Sequence, residues 1–296
     1  MPRIGPDLLH LLTVQDNVVA TWQVSRPTAS RMRRAHNQGL WRQLTKHTYL
    51  AAPSEPTQIQ RLWAAALHSG PDSLLTGQAA LACAGWTGEQ WGPTDVLIGH
   101  TASARGAPVW MRLHRTTVMP RGIRRDIPRA MPEAALIDAA GWATSHREAM
   151  FLVVSSLQQR IVSPAPLLRL LDDRPTARRR HLIRQTIDEF HGGATSMSEI
   201  DFGRLCRRYG IRKPDRQVMR NVNGRRYLDV HFDAEGVTVE IDGVHHTRPE
   251  VWIDDHERQN DLVIGGDRVF LRVSTFVLRY EPEVFMLQLR RALKLE

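Results

Sequence analysis

The sequence predicts a mixed α/β (α+β) fold, and three observations lead to this class. Segments with the 3.6-residue period of amphipathic helices alternate along the chain with short segments of strand-like alternation. Hydrophobic residues make up 42% and charged residues 24% of the 296 residues, as in ordinary globular domains. The stretch RRYLDVHFDAEGVTVEIDGVHH, residues 225–246, reads as two strands around a turn and carries several carboxylates.

The first 53 residues predict a helix, a second helix, a basic helix and a hairpin, in this order. Residues 7–14 and 21–25 have the pattern of short helices. A proline and a threonine open the basic segment RPTASRMRRAHNQGLW, which ends near Gly39, and LWRQLTKHTYLAAP alternates like a small hairpin. This order is typical of a winged helix-turn-helix domain, in which the third helix enters the major groove of DNA.

The charge of this region agrees with DNA binding, because residues 1–53 hold seven Lys and Arg against two acids. A small helical domain with a solvated basic face explains the same pattern. The candidate DNA-binding residues are Arg31, Arg33, Arg34, Arg42 and Lys46.

The middle of the chain predicts an α/β domain. Residues 57–85 have the pattern of helices rich in Ala and Leu, and TDVLIGH and PVWMRLHRT have that of strands. PEAALIDAAGW (132–142) and REAMFLVVSSLQQR (147–160) predict two further helices. We therefore expect three domains, over residues 1–53, 54–192 and 193–296.

Composition restricts the classes of protein to consider. The net charge of +9 belongs to residues 1–195, with 23 Lys and Arg against 14 Asp and Glu, whereas residues 196–296 hold 17 of each. The positive charge of residues 1–195 favours a polyanionic partner. No apolar run is long enough to span a membrane, and the two cysteines, Cys83 and Cys206, form no CxxC pair. We expect a cytoplasmic protein without a disulfide framework.

The last hundred residues predict a helix (196–209), the acidic hairpin, a helix (about 249–264), a strand (268–274) and a final helix (282–294). A loop centred on Ala234 and Glu235 sets the register of the hairpin. Leu228, Val230 and Phe232 then oppose Ile241, Val239 and Val237 on an apolar face. On the other face Tyr227 opposes Asp242, His231 opposes Thr238, and Asp229 opposes Glu240.

Two acids that face each other repel, and a bound cation removes this repulsion. Hard divalent ions prefer carboxylate oxygens, so Asp229 and Glu240 are candidate ligands of one ion. The alternative is an exposed polar face whose carboxylates point apart into water.

Other acidic residues of this region have structural explanations. SMSE, residues 196–199, fits a capping box, which accounts for Glu199 without catalysis. Asp255 and Arg258 have the i,i+3 spacing of a surface ion pair, although Arg258 is also placed to reach the sheet.

The C-terminal third resembles the very-short-patch-repair-like branch of the PD-(D/E)xK nuclease superfamily. The matching features, in order, are SE at the start of a helix, Pro214 and Gln217, LDV at Asp229, VEIDGVHH, the DDHERQNDL helix, VFLRVS and a closing helix. This resemblance implies a restriction-endonuclease-like mixed sheet flanked by helices. Residues 1–192 resemble the AbiEi-type antitoxin proteins, whose winged helix precedes an α/β domain.

The resemblance implies that Asp229 and Glu240 hold a catalytic Mg²⁺ or Mn²⁺ ion. It implies that Glu199 orients a water or a second ion and that Gln217 supports the site. The lysine of the superfamily motif is here Asp242, and this leaves its role open. His246 could act as a general acid or base, or cap the loop. Arg272 could stabilise the phosphate or pair with Asp255.

Two functions remain. The first is a metal-dependent DNA endonuclease directed by its winged helix, in phage defence or a toxin–antitoxin setting. The second is a DNA-binding transcriptional regulator or antitoxin with a catalytically idle nuclease fold. The paired acids favour the first, and the missing lysine favours the second. Besides DNA, a cognate toxin or antitoxin protein and a second copy of the chain are candidate partners, and a membrane is not.

Overall fold

The structure, a computed structural model, describes residues 6–88, 92–102, 106–192, 199–222, 225–242, 256–257, 259–260, 264 and 269–295. For residues 6, 191–192, 199–201, 219–222, 225–229 and 242 it describes the backbone alone. Helices and three sheets make up this part of the chain, which confirms the predicted mixed α/β class. The chain forms two compact units, 1–142 with 159–178 and 143–158 with 179–296. The three domain ranges stay predictions.

The first unit contains most of the short elements. They are α1 (Pro6–Val14), β1 (Val18–Ala20), a 3-10 helix (Thr21–Gln23), α2 (Arg26–Asn37), β2 (Arg42–Gln43), β3 (Thr48–Leu50), α3 (Gln58–His68), β4 (Leu74–Leu75), α4 (Gly77–Cys83), β5 (Thr94–Gly99), β6 (Met111–Thr116), β7 (Gly122–Ile123), β8 (Arg129–Ala130), α5 (Pro132–Trp142) and α7 (Pro164–Asp172). The predicted helix at 7–14, the basic helix and the hairpin are confirmed.

The first three strands of this unit form a sheet of order β1-β3-β2. One group of buried side chains, among them Leu8 of α1, Met32 of α2 and Tyr49 of β3, forms a core cluster with Val19 of β1. A second cluster joins the strands to α3. Strand β1 was not predicted, because three residues are too few for a recognisable alternation. Its pairing with β3 ties the hairpin to the helical part.

A five-stranded sheet of order β6-β5-β4-β8-β7 forms the rest of the first unit. The longer strands β5 and β6 were predicted, whereas the two-residue strands of this sheet, β4, β7 and β8, were not. Helix α3 begins with a capping box, in which Thr57 Oγ1 accepts from the Gln60 N–H at 3.2 Å and Gln60 Oε1 accepts from the Thr57 N–H at 3.0 Å. Helix α5 has the bounds predicted from its apolar pattern.

The second unit contains the longest strands. Its elements are α6 (His146–Gln158), α8 (Arg180–Gly192), α9 (Glu199–Arg208), β9 (Arg216–Val222), β10 (Arg225–Phe232), β11 (Val237–Asp242), β12 (Val269–Ser274), α10 (Thr275–Tyr280) and α11 (Pro282–Ala292). The sheet order is β12-β11-β10-β9, antiparallel except for the parallel pair of β11 and β12. The predicted strand at 268–274 and the final helix are confirmed.

The predicted hairpin register is also confirmed. Leu228 pairs with Ile241, Val230 with Val239 and Phe232 with Val237. All side chains of these six residues that the structure describes are buried. Val269, Leu271 and Val273 of β12 are buried as well. Burial of this apolar face fixes the register, because a slip by one residue would turn these side chains to solvent.

Strand β9 and helix α10 were not predicted. Four described residues of the segment predicted as a helix over about 249–264, namely 256–257 and 259–260, are helical, and most of the others lie outside the described residues. Among the helices that the structure describes, none is long and apolar enough to cross a membrane.

Candidate functional site

The acidic hairpin of the second unit brings the two candidate metal ligands to one register position. Asp229 of β10 pairs with Glu240 of β11. On the other side of β11, the parallel register sets Arg272 of β12 beside Glu240. Directly opposed residues in an antiparallel pair start with Cβ atoms about 4.5–5.5 Å apart, so two carboxylates at this position are within reach of one ion.

The Glu240 carboxylate is the best described group of the site. Its Oε2 accepts a hydrogen bond from Arg272 Nε at 2.9 Å, and the side chains are 17% and 45% exposed, respectively. The Arg272 guanidinium also lies over the Phe270 ring, 5.7 Å from its centroid. Arg272 was expected to stabilise a phosphate or to pair with Asp255. Its described partner is Glu240, and Asp255 lies outside the described residues.

An asparagine that was not predicted holds the strand carrying Arg272. Asn260 is buried, its Nδ2 donates to the Arg272 carbonyl at 2.8 Å, and its Oδ1 accepts from the Arg272 N–H at 2.9 Å. Strand β12 is at the edge of the sheet among the described strands, so these bonds satisfy backbone groups that none of those strands pairs. The backbone of Arg272 is therefore fixed, while its side chain remains half-exposed.

Further hydrogen bonds hold Asn260 in turn. Gln288 of α11 accepts from Asn260 Nδ2 at 3.2 Å, and Gln288 Nε2 donates to the Glu257 carbonyl at 2.9 Å. Arg147 of α6 donates to the Glu257 carboxylate at 3.0 Å and to Glu281 at 3.2 Å. The sequence signal for this role is weak, because Asn260 stands beside a second amide, Gln259, in the charged stretch DDHERQNDL.

The carboxylate face of the hairpin is polar and partly exposed. His231 Nδ1 and Thr238 Oγ1, the next predicted pair along the strands, are 3.1 Å apart. Val218, which pairs with Asp229 from the β9 side, is 42% exposed. The described side chains of this face are thus partly exposed, in contrast to those of the buried apolar face.

Gln217 lies on the opposite face. It pairs with Val230, which is fully buried. Its Nε2 is buried and has no hydrogen-bond partner among the described residues. Side chains alternate between the two faces of a strand, so Gln217 and Glu240 lie on opposite faces of the sheet. We therefore assign Gln217 no part in the site.

The other candidate catalytic residues are described only in part. Glu199 is the first residue of α9 and Asp242 the last residue of β11, but their side chains, like that of Asp229, lie outside the described residues. His246 and Arg258 lie outside them entirely. The described side chains contain no group of three or more metal-binding residues. The donors that the register sets together are carboxylates, which fit a hard cation such as Mg²⁺ or Mn²⁺.

In the first unit, α2 presents a basic face. Ser25 caps its start, with its Oγ accepting from the Thr28 N–H at 3.4 Å. Ala29 and Met32 are buried. The candidate DNA-binding residues on the opposite side of this helix are all exposed: Arg31, Arg33 and Arg34.

The hairpin after α2 adds to this charge. Its turn is held by Thr45 and Thr48, whose hydroxyls are 2.8 Å apart, and it leaves Lys46 exposed. Burial lowers the pKa of His47, and the positive charges of Lys46 and Arg33 lower it further. Lys46 of the hairpin and Arg33 of α2 therefore both act on His47.

Arg42 is engaged inside the unit. Its guanidinium donates to the Pro53 carbonyl at 3.3 and 3.2 Å and lies 2.6 Å from the Glu55 carboxylate. These contacts hold β2 against the chain that follows the hairpin. Arg42 was a candidate DNA contact, and its donors are directed to the protein instead.

No protein-family model matches this chain, and a comparison with curated proteins found no match.

Proposed function

We propose that the protein is a metal-dependent endonuclease that hydrolyses phosphodiester bonds in DNA. The observation that carries the proposal is the register of β10 and β11, which pairs Asp229 with Glu240 on the face of the hairpin opposite its apolar side. The resemblance of residues 196–296 to the very-short-patch-repair-like nucleases supports it, because these two positions match the metal ligands of that branch. A restriction-endonuclease-like fold for this unit is part of the proposal.

Asp229 and Glu240 would hold Mg²⁺ or Mn²⁺. When bound, such an ion polarises a phosphoryl oxygen and lowers the pKa of a bound water. Arg272 presents a forked, half-exposed cation beside Glu240, which suits an anionic phosphate oxygen. We assign Glu199 and Asp242 to orienting a water and His246 to proton transfer at the leaving oxygen. Asp242, unlike a lysine, brings no positive charge, so Arg272 is the nearby described cation that can stabilise charge on the phosphate.

The first unit would deliver the nuclease to DNA as a winged helix-turn-helix domain. Support comes from the order helix, strand, 3-10 helix, helix, hairpin, and from the β1-β3-β2 sheet that joins the hairpin to the first strand. Helix α2 would then enter the major groove, with Lys46 of the hairpin on the adjacent backbone. The resemblance to AbiEi-type antitoxins favours a cytoplasmic role in phage defence or beside a cognate toxin.

A second function is a DNA-binding regulator with an idle nuclease fold. The ion pair between Glu240 and Arg272 favours it, since this pair neutralises Glu240 without any metal. The missing motif lysine at Asp242 points the same way. In this case DNA binding by α2 would be the whole activity.

Incubation of the purified protein with supercoiled plasmid and Mg²⁺ or Mn²⁺ separates the two functions. We expect nicked or linear product from the wild type, and a loss of orders of magnitude for Asp229→Ala and Glu240→Gln. Asp233→Asn is the matched control, because it removes a charge from the turn of the same hairpin, where Asp233 pairs with Arg216. Binding of the plasmid without cleavage under all metal conditions would support the regulator.

A further inference from the structure

The first unit contains a cleft that neither the nuclease nor the DNA-binding surface uses. It has a volume of about 840 Å³ and is lined by β5, β6, α5, α7 and the chain that follows α7. Protein interiors are close-packed, and small-molecule sites commonly occupy about 300–1,000 Å³. The cleft therefore has the size of a ligand site rather than of a packing defect.

A buried polar cluster forms one part of its wall. Thr76 Oγ1 donates to Asp138 Oδ2 at 2.6 Å, and Arg174 Nη1 donates to Asp138 Oδ1 at 3.3 Å. The Asp138 side chain is 14% exposed and that of Arg174 26%. Burial raises the pKa of Asp138, which Thr76 and Arg174 oppose. These residues come from three different segments, and their bonds hold the wall in one geometry before any ligand arrives.

A flat aromatic surface forms another part of the wall. The indole of Trp142 lines the cleft and stacks on the His114 ring, with centroids 3.5 Å apart and planes 5° from parallel. His114 Nε2 lies 2.7 Å from Asp95 Oδ1, so the imidazole is itself held in place. Leu97 and Ile137 continue the apolar lining. Such a wall suits a planar ring.

The opening of the cleft is charged. Arg121 and Arg178 line it and are exposed, and their guanidinium groups have no partner among the described residues. Glu133 and Asp173 also line it. Arginine binds carboxylate and phosphate through paired donors, whereas carboxylates accept from N–H groups. A complementary ligand therefore carries both an anionic group and N–H donors.

We propose that this cleft binds a small molecule with a planar ring, one anionic group and N–H donors, with the ring against Trp142 and the anion at Arg121 and Arg178. A nucleoside monophosphate and an aromatic amino acid share this chemistry. The site would make the first unit responsive to a metabolite, in addition to its proposed contact with DNA.

Calorimetric titration and thermal melting of the full chain test the proposal. The probes are the nucleoside 5′-monophosphates, the corresponding nucleosides, L-tryptophan, L-phenylalanine and inorganic phosphate. We expect at least one nucleotide or aromatic amino acid to bind and raise the melting temperature, and inorganic phosphate to do neither. Which class binds identifies the source of the ligand.

Three variants locate the binding. Arg121→Ala with Arg178→Ala should weaken it about tenfold or more, because two charge-assisted contacts are lost. The matched control, Arg112→Ala with Arg169→Ala, removes two exposed arginines of the same unit that do not line the cleft. Replacing the α2 arginines by alanine should leave binding unchanged. Absence of binding by every probe at millimolar concentration, or equal binding by the first variant and its control, would overturn the proposal. None of these outcomes bears on cleavage of DNA.

Discussion

Replacement of Arg272 by glutamine should strengthen metal binding and weaken cleavage at the same time. In the structure Arg272 Nε lies 2.9 Å from Glu240 Oε2, so a cation that binds Glu240 must compete with the guanidinium. The pair is partly screened, because the arginine is 45% exposed. An ion pair of this kind contributes about 1 kcal/mol or less. Its removal should therefore tighten metal binding by up to about fivefold.

Cleavage should respond in the opposite direction. If Arg272 stabilises the negative charge of the reacting phosphate, its loss should slow the reaction by about 100-fold, as for other donors to a developing charge. Calorimetric titration with Mn²⁺ measures the first effect and plasmid cleavage the second. Arg216→Gln is the control, since Arg216 pairs with Asp233 at the turn of the same hairpin. Unchanged or weaker Mn²⁺ binding by Arg272→Gln would refute the competition.

Three further predictions concern the DNA-binding surface and the stability of the second unit. Alanine at Arg31, Arg33 and Arg34 of α2 should reduce the slope of log K against log salt by up to about 2.7, whereas Arg42→Ala should leave the slope unchanged. A triple variant with the slope of the wild type would remove these three side chains from the interface. Asn260→Ala leaves the Arg272 N–H and carbonyl unpaired and should lower the free energy of unfolding by about 1–3 kcal/mol, and a urea titration that shows less than this contradicts the role of Asn260. Burial raises the pKa of Glu189 in the folded protein. The stability that Glu189 contributes is therefore fully present below its unfolded pKa and is lost as pH rises through its folded pKa. Glu189→Gln should flatten this part of the curve of stability against pH, and an unchanged slope would show that other groups cause the pH dependence.

Local pattern predicted much of the fold because single faces are buried. The register of β10 and β11 follows from the alternation of Val230 and Phe232 against Asp229 and His231, and the structure has this register. Helix α5 was predicted with its bounds from its apolar composition, with four alanines, one leucine and one isoleucine that are all buried. A strand pair with one apolar face, or a helix with a continuous apolar run, can therefore be predicted from the sequence.

Contacts between distant segments could not be predicted in this way. Arg272 and Glu240 are 32 residues apart and meet only because β12 is parallel to β11. Thr76 and Asp138 are 62 residues apart and share one hydrogen bond. Strand β9 was missed because its sequence, RQVMRNV, alternates weakly, with Arg216 and Val218 exposed and Gln217 half-buried. Gln217 was expected at the site from the order of motifs, and only the strand register places it on the other face.

The most direct test of a shared metal site at Asp229 and Glu240 is a set of melting curves for the wild type and Asp229→Asn, in EDTA and in millimolar Mn²⁺. In EDTA we expect the variant to be as stable as the wild type or more stable, because a like-charge contact of about 0.2–1 kcal/mol is relieved. With Mn²⁺ the wild type should gain stability by mass action, and the variant should gain much less. An equal rise of both melting temperatures, or no rise of either, would contradict a metal ion shared by these two carboxylates.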